Sequence, residues 1–165
     1  GNLLLTKEII IEPEDHYPIL RNKLAHLSAE VLKELLHKIK QKEKTEEKPQ
    51  IGTPSFCKKI TKEQGLISWQ HQTAQEIYNH WRGLTLWPGI HTYFRGKVLK
   101  LQKILPIDWK EGKPGQVLKA SQKEGLIIKA KEGAIQILEI QPENKKNMEF
   151  ADFLNGYSLK VGDSL

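Results

Sequence analysis

From residue 89 onward the chain leaves no room for a long helix. Its apolar segments are short, and glycine interrupts them at Arg95-Gly96, Glu111-Gly112-Lys113-Pro114-Gly115, Glu124-Gly125 and Glu132-Gly133. Glycine and proline at that spacing close turns between strands. The segments predict strands at 90–94, 97–104, 116–120, 125–131 and 134–141, and strands punctuated this way build a small barrel or sandwich. Asn147 is expected to cap a last short helix through Leu154, with Asn155-Gly156 as its end. Residues 157–165 then supply a final strand or tail.

The first forty residues follow a different period. Leu3–Leu5 and Ile9–Ile11 read as one or two strands. Glu12-Pro13-Glu14-Asp15 signals a turn and a helix entry, and Pro18 sits where a first-turn proline is tolerated. Leu20, Leu24, Leu27, Val31 and Leu35 recur at helical spacing, so a helix is expected over 17–40, with an interruption near Ser28. Its apolar stripe needs a partner that residues 1–16 hardly supply, which suggests packing on a sheet mostly absent from this sequence. With no initiator Met, a truncated chain is the simplest account. Residues 40–50 hold no apolar residue and mix both charges, the composition of a solvated linker. Pro49, Gly52 and Pro54 extend that linker to about residue 57.

Between linker and strands, Gly65–Trp69 reads as a short strand. Thr73-Ala74-Gln75-Glu76 is a capping box. Ala74, Ile77, Tyr78 and Trp81 form one face of the helix it starts, and Gly83 fits a stop.

Charge is confined to the same region. Residues 58–103 hold eight Lys/Arg against two acids, whereas the flanking stretches are each balanced, so the formal +6 arises in this window. A basic segment inside a folded unit points to a polyanion, nucleic acid first. Lys58, Lys59 and Lys62 lie at the linker exit. Arg95, Lys97, Lys100 and Lys103 lie on or beside the strand 97–104. Together they are the candidate phosphate contacts, which give affinity and position without reading bases. On that strand Leu99 and Leu101 face one way and Val98, Lys100 and Gln102 the other. Lys97 and Lys103 share the leucines' face at its two ends, where long stems can reach out. Trp69, Trp81 and Trp87 are expected in the core, Trp81 being on the apolar helix face.

Other chemistry finds little support. There is no nucleophile elbow, no His-Glu-x-x-His and no phosphate-binding glycine loop. Gly112-Lys113-Pro114-Gly115 precedes no helix and reads as a plain turn. His26 and His37 stand too far apart along one helix to share a metal, and no metal is expected. His80 and His91 flank the basic window and are secondary candidates for RNA contact. A single cysteine, Cys57, excludes an internal disulfide. Apolar runs this short cannot span a bilayer, so no membrane partner is expected.

Read in order, Lys59 through Trp69, Ala74-Gln75-Glu76-Ile77, Arg82-Gly83-Leu84, Trp87-Pro88-Gly89, Leu138-Glu139-Ile140-Gln141-Pro142 and Phe153-Leu154-Asn155-Gly156-Tyr157 resemble the methionyl-tRNA formyltransferase family. The resemblance covers nearly the whole chain, and the Trp-Pro-Gly and Leu-Glu-Ile-Gln-Pro segments are its most specific parts. It implies a mainly β fold: an OB-fold-like C-terminal barrel with short helices, preceded by a strand–helix remnant of a Rossmann-like α/β domain. The implied division is 1–40 for the tail of the formyltransferase domain, 41–57 for the linker and 58–165 for the tRNA-binding domain. It also implies transfer of a formyl group from 10-formyltetrahydrofolate to the α-amino group of initiator methionyl-tRNA. The family's catalytic Asn, His and Asp have no counterpart here, since Gly1 to Leu4 match only the end of the Asp-x-Gly-x-x-Leu segment. The expectation is therefore an inactive, tRNA-binding, monomeric portion, cytoplasmic in a bacterium and mitochondrial or plastid in a eukaryote. Ser28 departs from the family, whose members often have Gly there. The alternatives are a related formyltransferase or hydrolase acting on a sugar nucleotide or formyltetrahydrofolate, and a free-standing non-catalytic nucleic-acid-binding module.

Overall fold

Strand β5 (Ala134–Pro142) is the one on which a six-stranded antiparallel sheet is assembled. One edge pairs along its length with β2 (Lys97–Ile107). The other edge is shared by β4 (Gly125–Lys129) near its start and β6 (Met148–Glu149) near its end. The hairpin partners β1 (Ile90–Phe94) and β3 (Val117–Ser121) complete the order β1-β2-β5-β4-β3. The computed structural model describes residues 1–43 and 46–165, so the predicted linker lies partly outside the described residues. The chain divides into two compact units, Gly1–Lys59 and Ile60–Leu165.

The second unit is mainly β, as the glycine punctuation implies. Its core gathers inward side chains of all the long strands, among them Ile90, Leu99, Leu101, Ile104, Leu126, Ile128, Ile135, Ile137 and Ile140. Helix α2 (Ala74–Leu84) adds Ile77, and α3 (Phe150–Gly156) adds Phe150 and Phe153. The α2 capping box is present: the Glu76 N–H donates to Thr73 Oγ1 at 3.2 Å and the Thr73 N–H to the Glu76 carboxylate at 2.8 Å. The Thr73 N–H first, and the Thr73 hydroxyl second, lower the Glu76 pKa by bonding its carboxylate.

The β2–β5 ladder carries two offsetting register shifts. Leu101 faces Ile140, Lys103 faces Glu139 and Ile104 faces Ile137. Gln102 is skipped on one strand and Leu138 on the other, which is how a bulge inserts a residue. The inward alternation shifts by one on both strands together, so the apolar pairs stay opposite each other. Lys103, expected on the leucines' face, is instead exposed while Ile104 fills the core. The carbonyl of Gln102 accepts a hydrogen bond from the Trp81 indole N–H at 3.1 Å, which fastens α2 to the bulge.

Several expectations change in the second unit. Gly65–Trp69 is not a strand: a 3-10 turn at Glu63–Gly65 leads into a lone parallel bridge between Leu66 and His91. Gly65 packs against the Gly89 carbonyl so closely that a Cβ would lie 2.3 Å from its oxygen. Gly83 does not stop α2, which ends at Leu84 where the Thr85 hydroxyl donates to the Trp81 carbonyl at 2.8 Å. Strand β2 runs on through Pro106 because β1 ends at Leu101's partner, Ile90, and a strand edge without a ladder tolerates proline. Asn147 does not cap α3: its amide donates to Glu139 at 2.7 Å, and Glu149 occupies the N-cap position. Residues 157–165 form no strand and make one bridge, Gln116 with Ser164.

In the first unit α1 (Tyr17–Lys40) is continuous through Ser28. His37, Lys38 and Lys40 in its last turn oppose the negative end of the helix dipole. None of its residues is buried; Leu20, Leu27, Val31 and Leu35 are half-buried and Leu24 is exposed. Asp15, itself buried, accepts from the Glu12 N–H and pairs with Lys23 at 2.7 Å. The predicted strands at 3–5 and 9–11 reduce to one bridge, Leu3 with Lys48.

Replacing Trp81 by Phe keeps the ring's bulk and removes the donor to the Gln102 carbonyl. Urea unfolding should show a loss of about 1–2 kcal/mol, the usual cost of stranding a partly buried acceptor. An unchanged midpoint would show that the bulge does not depend on this bond.

Candidate nucleic-acid interface

Strand alternation sorts the β1–β2 hairpin into two faces. Ile90, Thr92, Leu99 and Leu101 turn inward; Thr92 accepts from the Trp69 indole N–H at 3.1 Å. His91, Tyr93, Val98 and Lys100 turn outward, with His91 opposite Lys100 and Tyr93 opposite Val98. Arg95 and Gly96, at φ +50° and +76°, close the hairpin in the tight turn that matches strand twist.

On the outward face lies a cleft of about 420 Å³. Its walls include Lys62, Leu66, Trp87, His91, Tyr93 and Lys100. The sequence positions these groups by local contacts. The close approach of Gly65 to Gly89 and the bond from the Ile67 N–H to the His91 carbonyl set Lys62 and Leu66 beside β1. The Gly89 N–H donates to the Leu84 carbonyl at 2.9 Å, which holds the loop bearing Trp87.

The predicted basic residues are only partly brought together. Lys62 and Lys100 share this cleft. Arg95 and Lys97 line a second cleft of about 300 Å³ with Phe94, Phe153 and Tyr157. There Arg95 is engaged: its guanidinium lies 4.9 Å from the Phe94 ring centroid and donates to the Ser158 carbonyl at 2.8 Å. Lys103 is exposed beyond the bulge, and Lys58 and Lys59 are exposed in the first unit. Ion pairs of the described residues use Lys7, Lys23, Lys38, Lys48 and Lys119. None of Lys58, Lys59, Lys62, Lys97, Lys100 or Lys103 is among them.

The tryptophans do not share one role. Trp69 is 4% exposed and belongs to the core, and Trp81 is half-buried. Trp87 is 53% exposed and Tyr93 50%, so Trp87, expected in the core, lies on the surface. The Trp-Pro-Gly turn signal after α2 was the cue that could have put Trp87 on a loop. His80 lies 3.4 Å from the Gln72 amide and outside the cleft, whereas His91 is in its wall.

Burial first, and the Lys100 charge second, hold the His91 pKa below its ordinary 6.5. Among the described residues no cluster of three or more His, Cys, Asp or Glu could hold a metal ion, and no helix is long and apolar enough to cross a membrane.

Residues 59–158 match the family model described as formyl transferase, C-terminal domain. A methionyl-tRNA formyltransferase of Caldanaerobacter subterraneus subsp. tengcongensis is 40% identical over 166 residues, covering 100% of this chain and 53% of that protein. One of Geobacter metallireducens is 36% identical over 162 residues, covering 98% and 51%. The chain thus spans about half the length of the curated relatives it matches. Among solved structures, HypX from Aquifex aeolicus in complex with tetrahydrofolic acid has a TM-score of 0.55 at 22% identity, over 76% of this chain and 22% of that one. That likeness bears on the fold alone.

Because the folded pKa of His91 is depressed, its stabilising contribution is complete above about pH 6.5 and is lost as pH falls through the folded value. Thermal midpoints measured from pH 7.5 to 5 should decline less steeply for His91→Gln than for the parent chain. Identical slopes would mean that the ring's burial does not couple to stability.

Proposed function

Because the chain belongs to the formyl transferase C-terminal domain family, we propose that it is the tRNA-binding part of a methionyl-tRNA formyltransferase. The observation that carries this reading is the set of lysines that, among the described residues, make no ion pair, Lys62, Lys97, Lys100 and Lys103 on and around the β1–β2 hairpin, in the window where all the excess charge arises. Phosphate contacts need mobile cations with charge to spare, because binding is driven by release of counter-ions from the RNA.

On this reading the parent protein moves a formyl group from 10-formyltetrahydrofolate to the α-amino group of initiator methionyl-tRNA. The names of the relatives support the acceptor, and the folate donor is what the family resemblance implies. Residues 1–40 are the tail of the catalytic domain, 41–57 its linker and 58–165 an OB-fold-like domain. The chain supplies grip on the tRNA through Lys58, Lys59, Lys62, Arg95, Lys97, Lys100 and Lys103. Arg95, held by Phe94 and Ser158, contributes field more than a free donor. The chain works as a monomer, in bacterial cytoplasm or in an organelle of a eukaryotic host. It formylates nothing alone, since the residues the family uses for catalysis have no counterpart in it.

Filter binding of initiator tRNA to the 165-residue chain over a salt series tests the proposal. With roughly four to seven phosphates neutralised, log Kobs should fall against log salt with a slope of about −4 to −6. Absence of binding in dilute buffer, or a slope near zero, contradicts it.

A further inference from the structure

The outward cleft joins two kinds of group that rarely meet on a protein surface without a ligand. Trp87 and Tyr93 are half-exposed, while Trp69, Phe150 and Phe153 are spent on the core. Among the described residues the Trp87 indole and the Tyr93 hydroxyl have no hydrogen-bond partner, and the Tyr93 ring meets the His91 ring edge-on with centroids 6.1 Å apart. Beside them stand Lys62 and Lys100, neither in an ion pair among the described residues. Glu63 is the one carboxylate among the residues lining the wall; the Thr61 hydroxyl first, its own backbone N–H next and then the Lys62 charge hold its pKa below the ordinary carboxylate value.

The geometry points to a seat for one unstacked nucleotide of a single-stranded RNA segment, its base against Trp87 or Tyr93 and its phosphate at Lys62 and Lys100. An apolar protein partner would cover the rings and leave two lysine charges facing it. An acidic peptide would match the lysines and leave both π-faces open. A nucleotide satisfies both at once, since every base has a flat face and a phosphate attached to it. At about 420 Å³ the cleft falls within the roughly 300–1,000 Å³ of small-molecule sites. Its walls are fixed in advance by the Gly65–Gly89 packing and the Gly89–Leu84 bond, which limits the ordering cost of binding. This inference rests on the RNA-binding reading and adds to it a contact that stacks, where the lysines alone only attract.

The test measures initiator tRNA binding by the whole chain and its variants at several salt concentrations. Trp87→Ala should weaken binding by about 5- to 100-fold with the salt slope unchanged, and Trp87→Phe should recover most of it. Lys62→Gln with Lys100→Gln should make the slope shallower by about 0.7 per lost contact. If the parent chain binds with a steep slope and Trp87→Ala binds equally well, the stacking seat is refuted while the RNA reading stands. If the parent chain binds no RNA, both fall. Should Trp87→Ala fail to fold, emission carries the test: a single-stranded oligouridylate should quench the parent chain's tryptophan fluorescence, and Trp87→Phe should lose that quench. Equal quenching in both overturns the proposal. So does displacement of the RNA by polyglutamate at equal charge concentration, which would assign the cleft to an acidic polypeptide.

Discussion

The pairing of β2 with β5 is the constraint that the second unit cannot do without. It spans both strands almost end to end, and it holds its apolar rows together through a double register shift. Leu99 with Pro142, Leu101 with Ile140, and Ile104 with Ile137 remain opposite each other on the buried face although one residue is inserted on each strand. A single shift would have turned half of one strand inside out, because side chains alternate with period two. Two shifts cancel, and the Gln102 carbonyl, on the skipped residue of β2, accepts from the Trp81 indole. The sheet, the bulge and α2 are therefore one packed object.

The proposed RNA contact follows from which side of that object is left uncovered. Because Ile90, Thr92, Leu99 and Leu101 must face the core, His91, Tyr93, Val98 and Lys100 must face away from it. The hairpin thus presents a basic and aromatic face whose backbone is held by the ladder. The Gly65 to Ile67 segment and the loop from Thr85 to Gly89 then wall the cleft at its side. Affinity without sequence choice needs cations on a rigid frame; a preference for unpaired nucleotides needs open rings beside them. The cleft sets Tyr93 and Lys100 of the hairpin beside Trp87 of the preceding loop and Lys62 at the head of the 3-10 turn.

Much of the fold was legible because its signals are local. The Thr73–Glu76 capping box, the α1 stripe and the glycine turns each depend on residues a few positions apart, and each corresponds to an element in the structure. What escaped depends on distant partners. The bulge that exposes Lys103 is dictated by matching two strands more than thirty residues apart, which no strand pattern on β2 alone reveals. The Gly65–Trp69 segment has strand composition, yet the Gly89 backbone lies so near that the chain turns there. Lys129, a cation inside a strand, is 4% exposed, its ammonium donating to the carbonyls of Ala130 and Gly133 across the β4–β5 turn. Lys62 and Lys100 of the basic window line one cleft, whereas charge alone says nothing of Arg95's bond to the Ser158 carbonyl or of the exposure of Trp87.

The most direct test of the account follows backbone amide and indole signals of the isotope-labelled chain during titration with initiator tRNA. The largest shifts should fall on Lys62, Leu66, the Trp87 indole N–H and residues 91–100, with the Trp69 indole unmoved in the core. Shifts confined to β3, β4 or α3, or none at all, would contradict the claim that the outward face of the β1–β2 hairpin grips RNA.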